Sequence, residues 1–113
     1  MSVTAQRKEI IQALKSIPGV RNISAAWPEG KDPIPCITVD LASKRATDRR
    51  DDKPYLTQTE FYVRLFAVAD GDFESIGGEI EARMEELGYE QTFGWEEPGP
   101  GVRQLAFRYQ KTN

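Results

Sequence analysis

Apolar residues recur along this chain in two different periods, and the change of period divides it into elements. Ile10, Ile11, Leu14 and Ile17 fall on one face at helical spacing, while Arg7, Lys8, Gln12 and Lys15 turn away. Thr4 stands where a helix cap is expected. "PGV" at 18–20 ends the helix, because proline cannot continue the hydrogen-bond ladder and glycine suits the exit. A short strand is expected around 20–27, offering Val20, Ile23 and Trp27 to the core. "PEGKDPIP" is turn chemistry.

"CITVDLA" alternates cleanly, with Ile37, Val39 and Leu41 on one face and Cys36, Thr38 and Asp40 on the other. "YLTQTEFYVRLFAVA" predicts the longest strand, with Phe61, Val63, Leu65 and Ala67 opposite Tyr62, Arg64, Phe66 and Val68. Both faces carry apolar bulk, so this strand is either central in its sheet or meets a partner on one side. "DGDFESIGGEIEARMEELGY" predicts a helix capped by Asp72, with Phe73, Ile76, Ile80, Met84 and Leu87 along one stripe and Gly88 at its exit. "YEQTFGW", the turn "EEPGPG" and "VRQLAFRYQ" read as a closing hairpin. The order α-β-β-β-α-β-β defines an α+β fold: a mostly antiparallel sheet covered by two helices, with a long charged loop between the central strands.

Composition narrows the function. The 113 residues suit one domain, and 39% hydrophobic with 10% aromatic content is compatible with a single core. Fifteen basic and 18 acidic residues give a net charge of −3, which argues against a domain devoted to nucleic acid. No apolar run approaches the roughly 18 residues of a membrane span, and the start has no signal-peptide hydrophobic region, so the expectation is a protein made and kept in a cytosol. One cysteine, Cys36, and no histidine exclude an internal disulfide, a Cys/His zinc set and the histidine-dependent nucleophile pairings. Carboxylate or lysine chemistry stays formally open.

Candidate sites each have a plainer reading. "DGD" at 70–72 suggests a calcium loop, but the rest of the ligand pattern is missing and a turn with a cap explains it. Gly77 and Gly78 inside a helix cost about 1 kcal/mol each relative to alanine, which implies close approach by a neighbouring strand or another subunit. Glu79, Glu81, Glu85 and Glu86 form either an acid/base pair in a cleft or, more simply, a solvated helix face. Cys36 lacks a histidine to activate it and reads as a packed or partly exposed thiol. Arg103 and Arg108 with Phe107 and Tyr109 invite comparison with an RNA-reading sheet, yet the chain lacks that module's glycine-aromatic motif.

The segment from Ser43 to Pro54 places Lys44, Arg45, Arg49, Arg50 and Lys53 against Asp48, Asp51 and Asp52. Charges this dense cannot build a core. The segment is therefore either a solvated loop or an arm that becomes ordered when it meets a neighbouring subunit.

The order of elements resembles the tail terminator (tail completion) proteins of long-tailed bacteriophages and prophages, over nearly the whole chain. The resemblance lies in "AQRKEIIQALKSIPGV", "PIPCITVDL", the long charged segment, "TEFYVRLFAVADGDFESI", "MEELGYE" and "PGPGVRQLAFRYQ". It implies a non-enzymatic structural protein that caps the finished tail tube as a homo-oligomeric ring, a hexamer, and forms the surface joining the head. The implied partners are the tail tube protein and a head-completion or connector protein, with no membrane, no sequence-specific nucleic acid, no cofactor and no metal. The implied location is the tail or neck of a virion, reached through the host cytoplasm during assembly. Subunit contacts are expected at Lys44, Arg45, Arg49, Arg50, Asp51, Asp52 and Lys53, with Tyr62, Arg64 and Phe66 on the second face of the long strand. The alternatives are another neck or connector component, a bacterial ligand-binding α+β domain and a small enzyme.

An exposed ion pair contributes only about 0–1 kcal/mol, so no single arm residue should control assembly. Replacing Arg45, Arg49 and Arg50 together with serine is expected to leave the monomer's melting temperature nearly unchanged while impairing ring formation on tail tubes. Normal assembly by that triple variant would mark the segment as a solvated loop.

Overall fold

The structure, a computed structural model, describes residues 2–25, 33–50, 53–98 and 101–112, with backbone alone at 46–50 and 53–55. Helix α1 spans Val3–Leu14 and strand β1 Asn22–Ser24. Strands β2 (Cys36–Arg50) and β3 (Lys53–Ala67) follow, then helix α2 (Asp70–Glu86) and strands β4 (Glu90–Glu97) and β5 (Arg103–Thr112). The sheet runs β1-β2-β3-β5-β4. Only β1 and β2 are parallel; the other neighbours are antiparallel. β3 is the middle strand of the sheet, with the helices on one of its faces and cross-strand aromatic packing on the other.

Local chemistry sets the helix ends, at positions slightly different from those expected. Ser2 rather than Thr4 caps α1, its Oγ accepting from the Ala5 amide at 3.1 Å. α2 begins at Asp70, not after Asp72; its N-cap Ala69 gives no side-chain bond, and Asp70 and Asp72 both lie in the first turn. Two carboxylates there complement the partial positive charge of the free amides, which compensates for the missing cap. At the far end Gly88 adopts φ +89°, the Gly88 amide donates to Glu85 and the Tyr89 amide to Met84. This is a Schellman closure, which needs the left-handed glycine.

Both helices pack on one face of the sheet. Ile10, Leu14 and Ile17 from the first helical segment and Phe73, Ile76, Ile80 and Met84 from α2 meet Ile37, Val39, Phe61, Val63, Leu65, Phe107 and Tyr109. Register aligns the sheet's contribution, pairing Ile37 with Leu65, Val39 with Val63, Val63 with Phe107 and Phe61 with Tyr109. Gln6 and Thr59 are polar residues buried on this side: Gln6 donates from Nε2 to Thr59 Oγ1 at 2.8 Å and to Tyr89 Oη at 3.2 Å. Arg83 ties the helices together, donating to the Ala13 carbonyl at 2.7 Å and Ser16 Oγ at 2.6 Å. The short strand ends at Ser24, so Trp27, expected in it, lies outside the described residues.

The charged segment is strand where a loop was expected. The β2–β3 ladder continues from Ser43–Glu60 out to Arg50–Lys53, with bulges after Leu41, Ala46 and Asp48. β5 accompanies β3 only as far as the Thr112–Gln58 pair. Beyond that point β2 and β3 form a two-stranded ribbon, and Asp51 and Asp52 lie outside the described residues. A segment with nothing to bury can still be a strand. Antiparallel pairing satisfies the backbone without any core, and a solvated ribbon tolerates charge at every position. The ribbon gives the chain its length: the molecule extends 52 × 24 × 21 Å, and a 15-residue strand spans about 50 Å.

The glycine pair in α2 divides into two cases. A Cβ on Gly77 would lie 3.1 Å from Leu105 Cδ2, so strand β5 is the close neighbour, whereas Gly78 faces open space. Gly78→Ala should raise stability by up to about 1 kcal/mol, roughly 4 °C in Tm. Gly77→Ala should gain less or lose stability, because Leu105 must give way. Thermal melts of the two variants check the contrast.

Candidate functional site

Strand alternation sends the residues between core positions to the opposite side of the sheet, which no described helix covers. There Tyr62 and Trp95 meet edge to face, with centroids 6.0 Å apart and planes at 88°. Phe93 packs on Trp95 at 5.5 Å and is 60% exposed, an unusual expense of apolar surface. Trp95 points its Nε1 to Glu97 Oε1 at 3.0 Å, and the other oxygen of Glu97 accepts from Gln104 at 3.3 Å. Tyr62, Phe93, Trp95 and Arg108 line a shallow depression of ≈ 440 Å³.

Two diagonal ion pairs frame the aromatic rings. Thr38 is opposite Arg64 and Asp40 opposite Tyr62, so Arg64 reaches diagonally to Asp40, Nη1 to Oδ1, at 2.6 Å. Arg108 is opposite Tyr62 and reaches diagonally to Glu60 in the same way. Both guanidinium groups lie over the Tyr62 ring, at 4.5 Å for Arg64 and 6.0 Å for Arg108. Arg64 is only 11% exposed at its side chain, so its pairing with Asp40 is set in a partly desolvated place.

A polar row crosses the sheet where the ribbon leaves it. Arg45 Nε donates to Gln58 Oε1 at 2.9 Å, Gln58 Nε2 to Gln110 Oε1 at 2.8 Å, and Gln110 Nε2 to Glu90 Oε2 at 3.2 Å. The row joins a cation on β2 to an anion on β4 through two amides oriented head to tail, which anchors the root of the ribbon. On the helix side, Glu81, Glu85 and Glu90 line a shallow cleft with Tyr89, Gln91 and Tyr109. Burial raises the hydroxyl pKa of both tyrosines, with Glu81 adding to the effect at Tyr109.

The residues expected at subunit contacts fall into three groups. Lys44 and Arg45 are exposed on β2. Arg49, Arg50 and Lys53 lie on the paired strands of the ribbon with only their backbone described, while Asp51 and Asp52 are outside the described residues. Tyr62 and Arg64 are half-buried on the open face, whereas Phe66 is 7% exposed and offers little surface. Arg103, Phe107, Arg108 and Tyr109 do not form one surface. Phe107 and Tyr109 enter the core, Arg103 pairs with Asp70 and lies over Phe73, and Arg108 alone joins the open face. Among the described residues no three potential metal ligands converge, and no helix is long and apolar enough to cross a membrane. Cys36 is buried. Phe93 and Trp95 were not anticipated at a site, although alternation in "TFGWEE" places 93, 95 and 97 on one face.

No family model matches the chain, and no curated protein is similar to it in sequence. Among solved structures, the chain is similar to one in "Virion of native gene transfer agent (GTA) particle". The likeness covers 97% of this chain and 96% of that one, with a TM-score of 0.55 and 14% identity. At that identity it is a likeness of fold.

The Asp40–Arg64 pair makes a specific demand. Removing the carboxylate's charge leaves a mostly buried guanidinium with a weakened partner, so Asp40→Asn should destabilise the fold by about 1–3 kcal/mol. The more exposed Arg103–Asp70 pair should matter less, with Asp70→Asn changing stability by less than about 1 kcal/mol. Denaturant unfolding at neutral pH measures both.

Proposed function

We propose that this chain is a non-enzymatic structural protein of a phage-type virion. Copies of it cap the tail tube as a ring and present the surface that the head joins. The observation that carries the reading is the end-to-end likeness in fold to a chain of a gene transfer agent virion, with neither chain leaving a substantial part unmatched. Residence in a particle rests on that neighbour. The capping role, and six as the number of copies, rest on the sequence resemblance to tail terminators.

The geometry is suited to such work. A projecting ribbon with exposed Lys44 and Arg45 extends past the core, and an open sheet face carries aromatic rings flanked by ion pairs. Interfaces favour Tyr, Trp, Phe and Arg at their centres, and this face has all four. Its depression is shallow, which suits a broad protein contact better than an enclosed metabolite. On this reading the tail tube protein and a head-completion or connector protein are the neighbours. The protein assembles in the host cytoplasm and resides in the tail or neck.

Electron microscopy of particles carrying a labelled copy of the chain tests the proposal. The expected image is a closed ring at the head-proximal end of the tail tube, with six copies. In particles lacking the chain, tails and heads should accumulate unjoined. A solitary copy at that position, or a location in the capsid or at the distal tip, would reject the capping role.

A further inference from the structure

We propose that β4 of one copy adds to the free edge of β2 in the next, so that the sheet runs on from subunit to subunit around the ring. This rests on the ring reading above and specifies which surfaces close it. Both strands have an edge to offer. β1 pairs with β2 only from Cys36 to Thr38, and no other described strand lies along that side of β2 as far as Arg50. At the other end of the sheet, β4 pairs only with β5 among the described residues. The eight residues of β4 fit within the open stretch of β2.

Strand direction permits the match. β5 runs with β2, because each is antiparallel to β3, and β4 runs against β5. Within one copy β4 lies level with Cys36–Ser43 of β2, so a rotation axis along the strands would set it against β1. Copies related by rotation about an axis inclined to the strands by roughly 45°, as in closed sheets, slide β4 past β1 and bring it antiparallel to the Ser43–Arg50 stretch of the next β2. Their helix-covered faces stay on one side and their aromatic faces on the other. Antiparallel addition supplies backbone bonds that no described strand makes at either edge.

Charge selects this pairing over its rivals. β4 contains Glu90, Glu96 and Glu97 and no basic residue. The open stretch of β2 contains Lys44, Arg45, Arg49 and Arg50 against Asp40 and Asp48. A contact of β4 with β4 would face acid with acid, and one of β2 with β2 would face base with base. Only the unlike pairing is complementary, and a contact between unlike surfaces is the kind that closes rings. β4 also lacks the lysine or proline that commonly protects an edge, and it exposes Phe93.

Two double variants test the assignment on tail tubes: K44E/R45E on the β2 edge and E90K/E96K on the β4 edge. Each alone should assemble poorly, raising the concentration needed for half-assembly by on the order of tenfold at low salt. An equal mixture should recover, because the two kinds can alternate around an even-numbered ring. As a readout independent of charge, a Lys44→Cys copy should form a disulfide with at least one of Glu90→Cys, Thr92→Cys or Glu96→Cys copies. Wild-type-like assembly by folded K44E/R45E, a mixture no better than its components, or absence of every crosslink would overturn the contact. If the wild-type chain forms no ring, the ring reading itself falls; rings with none of these couplings would reject the β4–β2 contact alone.

Discussion

One antiparallel ladder organises this protein. β2 and β3 each run for fifteen residues and stay paired almost throughout, although only half of that length lies over a core. In the inner half, the two-residue period of the pleat decides everything that follows. It turns Ile37, Val39, Phe61, Val63 and Leu65 toward the helices, and the same geometry turns Asp40, Tyr62 and Arg64 the other way. A shift of one residue would exchange the two faces, placing Arg64 under α2 and Val63 in water. The helices, β5 and the aromatic cluster all depend on that register.

The outer half of the ladder obeys different physics. Its backbone bonds are made, but no described helix lies over it, and a hairpin of two strands is marginal in water without a hydrophobic face. The root is held by the Arg45–Gln58–Gln110–Glu90 row, which crosses four strands where the sheet narrows to two. Exposed polar bonds of this kind contribute modestly one by one. Linked in series between a cation and an anion, they fix the direction in which the ribbon leaves the body.

Legibility in the sequence followed the same division. Every element over the core was readable, because burial imposes a period: the stripe from Phe73 to Met84 gave α2, and the alternation in "CITVDLA" gave the inner part of β2. The ribbon was unreadable for the complementary reason. With nothing to bury, no period is imposed, and a charged strand has the composition of a loop. Gln6 escaped notice because a polar residue on an amphipathic helix normally faces water; its partners Thr59 and Tyr89 are more than fifty residues away. On the open face, Tyr62 and Arg64 were visible as the second side of a long strand. Phe93 and Trp95 were not, since their meeting with Tyr62 depends on β5 lying between β3 and β4.

The open face resolves a conflict that any docking surface meets. Burying an aromatic residue against a partner is favourable, but arginine and glutamate beside it lose their water, and an unpaired charge left behind costs more than the ring gains. Here Arg64 already has Asp40, Arg108 has Glu60, and both carboxylate oxygens of Glu97 already accept bonds. Those charges bring their own partners into any contact, so the depression among Tyr62, Phe93 and Trp95 can close without stranding them. The β4 and β2 edges are the opposite case. Glu96 and Lys44 are exposed, and the edges carry charge of opposite sign. Self-paired charge makes a face permissive, whereas segregated charge makes an edge selective. On the proposed ring reading, the edges would serve contacts between copies in one orientation and the face a broader contact with another protein.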